Sequence, residues 1–302
     1  MKNETRYATA QIVLETDTVR AVVLPELGAK IGSFVWKQNN FEVLAQPAKL
    51  PYRKAHYGAD FSAYDTSGLD DCLPTIDSCT LPDSGQRLPD HGEVWAREWT
   101  VKTVDTADSC PSACLSVDLQ SVPLHFEKEI SLKDSTLHLK YTLTNEGEQS
   151  QPWLWALHDL TRWEEDLWLE LPHSAEDMEN VQEEEPAVFD KTRASQYPNN
   201  STFKWYYPYP VRKGQVSVHY PSQGMKYTIS YDETFLPYLG LWVTTGGFKG
   251  EKNFALEPCN GYYDSLCRAV ENNTAMYLEA KQTVRWEVFL KLEEETNGFA
   301  DL

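Results

Sequence analysis

Glu257, His158 and His91 are the side chains of this sequence best suited to moving protons. Glu257 follows the apolar run Phe254-Ala255-Leu256 and precedes Pro258. A carboxylate at the end of a buried strand has to be paired, hydrogen-bonded or put to use, because burying it bare is costly. His158 ends an alternating stretch of bulky residues, 153–158; a histidine there also serves as a satisfied core or rim residue. His91 stands in an Asp-His-Gly turn ahead of a strand, and Gly92 permits a tight backbone that a ligand can approach. A turn histidine also donates to backbone with no further role. An imidazole with a pKa near ~6.5 is a ready proton donor, and an ionised glutamate is a ready acceptor. Each contributes ~10²–10⁴-fold when positioned on a reacting group. The three together describe an acid/base site.

Signatures of several other chemistries are missing. The sequence contains no GxSxG elbow, no GxGxxG fingerprint and no Walker motif, which argues against a serine hydrolase and against a nucleotide cofactor. The cysteines at 72, 79, 110, 114, 259 and 267 form no CxxC and no zinc-type spacing. They read as reduced, structural or incidental thiols. A metal-dependent isomerase using His91, Glu93 and His158 is a further reading, since His-x-Glu on a strand places both side chains on one face.

Positioning such groups falls to a β-rich chain. Strand-like alternation runs over residues 7–14, 19–24, 30–36, 95–104, 113–120, 124–132, 137–145, 153–158 and 167–171. It resumes at 215–220, 226–231, 238–244, 254–257, 275–279 and 283–292. Close spacing without βα alternation predicts an all-β, antiparallel sandwich or barrel. One short helix is predicted over 264–270, with Asp264 as its N-cap. Residues 172–210 show no clear period and read as one long loop. With no repeat and no convincing linker, the 302 residues read as a single domain.

Composition narrows the partners. Lys plus Arg total 27 against 46 for Asp plus Glu, a net charge of −19. That field repels nucleic acid and anionic membrane surfaces, so neither is expected as a partner. No apolar run is long enough for a membrane helix and the first residues do not resemble a signal peptide, so a cytoplasmic location is expected. The acidic run 176–185 reads as a solvated loop. Ten Trp and sixteen Tyr fill a core first, but their faces also suit the C–H faces of sugars.

At the ordered segments Gly68-Leu69-Asp70-Asp71-Cys72-Leu73-Pro74-Thr75, Leu88-Pro89-Asp90-His91-Gly92-Glu93-Val94-Trp95, Trp155-Ala156-Leu157-His158 and Leu256-Glu257-Pro258, the sequence resembles the aldose 1-epimerase family of galactose mutarotase-like proteins. An opening Val22-Val23-Leu24-Pro25-Glu26-Leu27-Gly28 and a closing Trp286-Glu287-Val288 extend the resemblance over nearly the whole chain. It implies a β-supersandwich with a sugar cleft. It implies Glu257 as the base at the anomeric hydroxyl, His158 as the acid at the ring oxygen and His91 as a substrate-binding histidine. No metal or organic cofactor is implied, and the partner is a small-molecule sugar, handled by a monomer or homodimer.

Asp71, Trp95 and Lys204 are candidate substrate contacts; their alternatives are a turn cap, core packing and a solvated loop charge. The sequence departs from the family pattern at Asp70-Asp71, where galactose enzymes carry Asn-Arg. It departs again after His91-Gly92, where the hexose-6-phosphate branch places an Arg sooner than Arg97. A non-catalytic sugar binder and a glycoside hydrolase or lyase, with Glu93 or Asp71 partnering Glu257, are the rival functions.

Overall fold

The computed structural model describes residues 9–48, 52–82, 84–107, 109–182 and 189–295. Among the described residues, two large sheets stack face to face. The first runs Ile12–Glu15, Val19–Leu24, Lys30–Trp36, Leu69–Cys72, Ala156–Arg162, Lys252–Cys259, Tyr238–Thr245, Thr202–Tyr206 and Glu179–Asn180, with Phe41–Glu42 paired to Lys30–Trp36. The second runs Trp168–Glu170, Gln215–Tyr220, Met225–Tyr231, Thr283–Glu294, Thr136–Asn145, Leu124–Lys133, Ser112–Asp118 and Thr100–Asp105. Neighbouring strands in both sheets pair antiparallel, and the expected antiparallel β-supersandwich is the fold.

Period-two patterning decides which side of each strand is buried. In Leu124–Lys133, Leu124, Phe126, Ile130 and Leu132 point inward, and so do Leu137, Leu139, Tyr141 and Leu143 of its neighbour. They join Phe34, Trp153, Trp155 and Trp286 in one continuous core. The same alternation forces Lys128 inward as well. Its ammonium, fully buried, lies 2.9 Å from Asp71 Oδ2 on the opposite sheet, and Trp155 Nε1 donates to the other Asp71 oxygen at 3.1 Å. A second polar tie joins the sheets where the Tyr227 hydroxyl donates to Asp159 Oδ2 at 2.6 Å. Burial, partly offset by hydrogen bonds from Tyr227 and Thr161, pushes the Asp159 carboxyl up to about 7.

Several boundaries differ from the sequence reading. Trp95 lies in a short 3-10 turn, Val94–Ala96, and the strand begins only at Thr100. The segment 172–210 is not one loop: Glu179–Asn180 and Thr202–Tyr206 complete one edge of the first sheet. Alternation fails as a signal there because Phe203, Lys204, Trp205 and Tyr206 are all buried, being covered on both faces. Part of the acidic run, 183–185, lies outside the described residues. The helix is Leu266–Glu271, and its N-cap is Ser265, which accepts the Arg268 amide, not Asp264.

The Lys128–Asp71 pair yields a stability test. Lys128→Met keeps the volume and leaves Asp71 buried without its counter-charge, so the unfolding free energy should fall by ~3–5 kcal/mol. Urea unfolding at neutral pH measures it; an unchanged midpoint would show that the pair carries no such energy.

Candidate active site

Strand register sets the site. Asp70 pairs with His158. The register that joins Ala156 to Cys259 and Leu160 to Ala255 places Glu257 across from His158 on the next strand. Glu257 pairs in turn with Gly240, and Gly240 with Tyr206. One row running across five strands therefore carries Asp70, His158, Glu257, Gly240 and Tyr206, all on the face turned away from the second sheet. Gly240 is required here: a Cβ on it would lie 2.8 Å from the Tyr206 ring. The ring crosses that gap, and its hydroxyl donates to Asp264 Oδ1 at 2.7 Å. In the adjoining row, Lys204 stands opposite Trp242. Its ammonium contacts Glu257 Oε2 directly and lies 3.7 Å from Asp264 Oδ1.

His91 reaches the row from a loop. Its own φ is 55° and that of Gly92 is 67°, and its amide donates to the Ile76 carbonyl at 2.5 Å. Nδ1 pairs with Asp90 Oδ1 at 2.9 Å. The ring stacks on Phe61 with centroids 4.1 Å apart and meets His158 edge-on at 5.0 Å. Phe61 also packs edge-on against His158 at 5.1 Å. These groups line a cleft of about 370 Å³, a volume suited to a small molecule. Trp242 and Phe248, with ring centroids 5.7 Å apart, form an aromatic wall on its far side.

Burial dominates the electrostatics. It pushes the His158 pKa well below its ordinary value, and nearby His91, Lys204 and Lys30 add to the effect. It pushes the Glu257 carboxyl up, and the Lys204 ammonium opposes that rise. Burial also works against the Lys204 charge, but Glu257 and Asp264 outweigh it and hold the ammonium above its usual pKa. His158 Nδ1 and Glu257 Oε1 are buried and lack a hydrogen-bond partner among the described residues. Such atoms are costly unless something fills their valence.

The structure thus brings together His91, His158, Glu257 and Lys204, which are separated by up to 166 residues in sequence (257 less 91). Lys204 is a strand residue and not a solvated loop charge. Asp71 is not at the cleft: it points between the sheets to Lys128 and Trp155. Neighbours in a strand face opposite ways, so Asp70, not Asp71, shares the face of His158. Asp70 is bound by Lys30 at 2.8 Å, and burial, opposed by Lys30, lifts its pKa to about 6. Trp95 stands one layer back, with Nε1 donating to the Asp90 carbonyl at 3.1 Å and its ring edge-on to Phe61.

Glu93 is fully buried and accepts the amides of Gln120 at 2.7 Å and Ser121 at 2.9 Å. Neither Glu93 nor Asp71 is therefore available as a second hydrolytic carboxylate. Among the described residues no three His, Cys, Asp or Glu side chains form a metal-binding group. Sequence reading missed Asp264 and Trp242. The alternation of Gly240, Trp242 and Thr244 within one strand was a usable sign for Trp242. Asp264 gave no such sign, because its position depends on the turn after Glu257 and on a backbone φ of 52°.

The model of the aldose 1-epimerase family matches residues 10–291. The chain belongs to that family. Solved structures share its fold at low identity. A Synechocystis sp. PCC 6803 protein superposes with a TM-score of 0.73 at 17% identity, covering 95% of this chain and 96% of its own. A galactose mutarotase-like protein from Clostridium acetobutylicum gives 0.70 at 14%, covering 94% and 95%. One from Lactobacillus casei gives 0.65 at 17%, covering 94% and 100%. None of the curated proteins matches the chain.

The loop that delivers His91 is open to test. A Cβ on Gly92 would sit 2.1 Å from the Leu73 carbonyl oxygen, at a φ that L-residues rarely adopt. Gly92→Ala should cost at least ~1–3 kcal/mol of stability. The urea midpoint reads this directly; a wild-type midpoint would mean that the turn relaxes freely.

Proposed function

We propose that this chain interconverts the α and β anomers of a free, uncharged aldose, without a cofactor, using Glu257 and His158 as base and acid. The observation that carries the reading is the opposition of these two side chains on adjacent strands, each with a buried polar atom unpartnered, at the floor of a cleft with an aromatic wall. A sugar ring presents both a hydroxyl and a ring oxygen at C1, and those two atoms match the two vacant valences.

In the forward direction Glu257 takes the proton of the C1 hydroxyl. The electrons of that O–H bond form the carbonyl, the C1–O5 bond breaks, and its pair goes to O5. The His158 imidazolium delivers its proton to O5. Rotation about C1–C2 presents the other carbonyl face, and the steps reverse. Lys204 holds one Glu257 oxygen and leaves the other for the substrate. His91, fixed by Asp90 and Phe61, is a hydrogen-bonding group for a ring hydroxyl.

Charge favours an uncharged sugar. Asp77, Asp90, Glu251, Glu257 and Asp264 line the cleft with Lys204 as the opposing lysine, and that ammonium is already paired. A phosphate or carboxylate on the sugar would meet this field unfavourably.

Three outcomes follow. Anomer exchange of freshly dissolved hexoses and pentoses, followed by NMR, should be faster with the protein, and Glu257→Gln should slow it by ~10²-fold or more with little change in KM. Asp264 remains near Lys204 in that variant, so the ammonium keeps a counter-charge. Equal rates for wild type and Glu257→Gln would make Glu257 structural and favour the non-catalytic sugar binder. His158→Asn should behave as Glu257→Gln does, whereas His91→Asn should raise KM more than it lowers kcat.

The pH profile of kcat/KM carries a sign. Imidazolium is lost as pH rises through a pKa depressed below ordinary histidine, and carboxylate is gained as pH rises through one raised above ordinary glutamate. The product of the two forms should peak on the acid side of about 6.5. A maximum well above that value would refute His158 imidazolium as the donor.

A further inference from the structure

Cys79 and Cys267 lie on two segments that pack against each other next to the cleft. Cys79 opens the short strand Cys79–Thr80, and Cys267 lies in the first turn of the helix Leu266–Glu271. The helix start packs directly on that strand. Cys267 Sγ also donates to the Thr80 carbonyl at 3.1 Å. Thr75 Oγ1 accepts the Leu266 amide at 3.0 Å and lies 3.8 Å from Cys79 Sγ, so one hydroxyl bridges the two segments. Both thiols are half-buried, unlike Cys72 and Cys259, which are sealed in the core.

These two segments also carry cleft residues. Ile76 and Asp77 come shortly before Cys79, and Asp264 shortly before Cys267. The Asp77 amide donates to the Asp264 carbonyl at 2.5 Å, and the His91 amide to the Ile76 carbonyl at 2.5 Å. Asp264 in turn receives the Tyr206 hydroxyl and faces Lys204. A change at the thiol junction is therefore one backbone link from the groups that set the cleft floor.

We propose that Cys79 and Cys267 form a reversible disulfide that clamps these two segments together and couples thiol oxidation to the shape of the cleft. The oxidant is a low-molecular-weight disulfide such as glutathione disulfide. One protein thiolate attacks a sulfur of the oxidant, forming a mixed disulfide and expelling one small thiolate. The second protein thiolate attacks the protein sulfur of that intermediate and expels the other. The two protons lost by the cysteines end on the two small thiols, and the oxidant's S–S bond is reduced as the protein's forms. A covalent S–S distance is ~2.05 Å, much shorter than a thiol contact, so the helix start is drawn onto the strand and Cys267 gives up its bond to Thr80. Burial and the neighbouring Cys79 push the Cys267 thiol up to about 12, which makes the exchange slow near neutral pH and faster as pH rises.

The test uses the whole chain in glutathione buffers of increasing oxidised fraction, followed by alkylation, digestion and mass spectrometry. A Cys79–Cys267 cross-link, lighter by two hydrogens than the reduced pair, is expected, and Cys79→Ser and Cys267→Ser should each abolish it. Amide hydrogen exchange over 264–271 should slow by at least about threefold in the oxidised wild type and recover with dithiothreitol. Persistent glutathione adducts without a cross-link, or linkage to another cysteine, would overturn the pairing. A cross-link with unchanged exchange over 264–271 would overturn the clamp. Both readouts are independent of sugar turnover, so a failure of the epimerase reading is told apart from a failure of this one.

Discussion

A lysine placed at a core position constrains this structure more than any apolar contact does. Lys128 falls in the inward register of its strand, between Phe126 and Ile130, and the fold accommodates it because Asp71 arrives from the opposite sheet. A one-residue slip in Leu69–Cys72 would turn Asp71 outward and Asp70 inward. Lys30 would then keep Asp65 but lose Asp70, and Lys128 would face an acid supported by neither Trp155 nor the present geometry. The adjacent acids Asp70 and Asp71 are thus a registry device: each has a lysine on its own face of the sheet, and only one register satisfies both. Buried charges are weak sources of net stability, but they discriminate strongly between arrangements.

That registry propagates to the chemistry. Once Asp70 is fixed, antiparallel pairing sets His158 beside it and Glu257 across from His158. No loop has to close for Glu257 and His158 to oppose each other; strand pairing sets them side by side. Loops bring in His91 with its Asp90 brace, Asp264 at the far end, and Phe248 of the aromatic wall, whose other ring, Trp242, is on a strand. Gly240 is the one position in the row where a side chain has been removed to admit another, and Tyr206 occupies the space. Glu257 and His158 therefore sit on paired strands, and His91 and Asp264 on the connections around them.

Much of this was legible in the chain. Alternation exposed most of the strands, and the outward-facing Glu257 and His158 were visible as polar endings of apolar runs. The edge strands hidden in 172–210 were not, because Thr202–Tyr206 is buried on both faces and an alternating pattern never forms. Asp71, expected as a substrate contact, lies between the sheets, because the sequence shows two neighbouring acids but not which of them faces Lys128. That choice lies in a contact between residues 57 positions apart. That the Lys204 ammonium lies against Glu257 is decided by strand pairing across three elements, and no local signal reports it.

The shifts of the acid and the base have one common origin. Burial penalises every charge it encloses, so it raises the Glu257 carboxyl and lowers the His158 imidazole, opposite shifts on two groups that start about two units apart in water. The proposed reaction must run equally well in both directions, and it is served best when acid and base are matched. If the base were much weaker than the conjugate of the acid, ring opening would be slow; if much stronger, closure would be. Lys204 opposes the rise on the glutamate side. The Asp70–Lys30 pair beneath His158 supplies no proton, but Lys30 adds a positive charge that holds the imidazole low. The Asp70–Lys30 pair thus acts on the same sheet face as His158 and Glu257, whereas Asp71–Lys128 ties the opposite face to the second sheet.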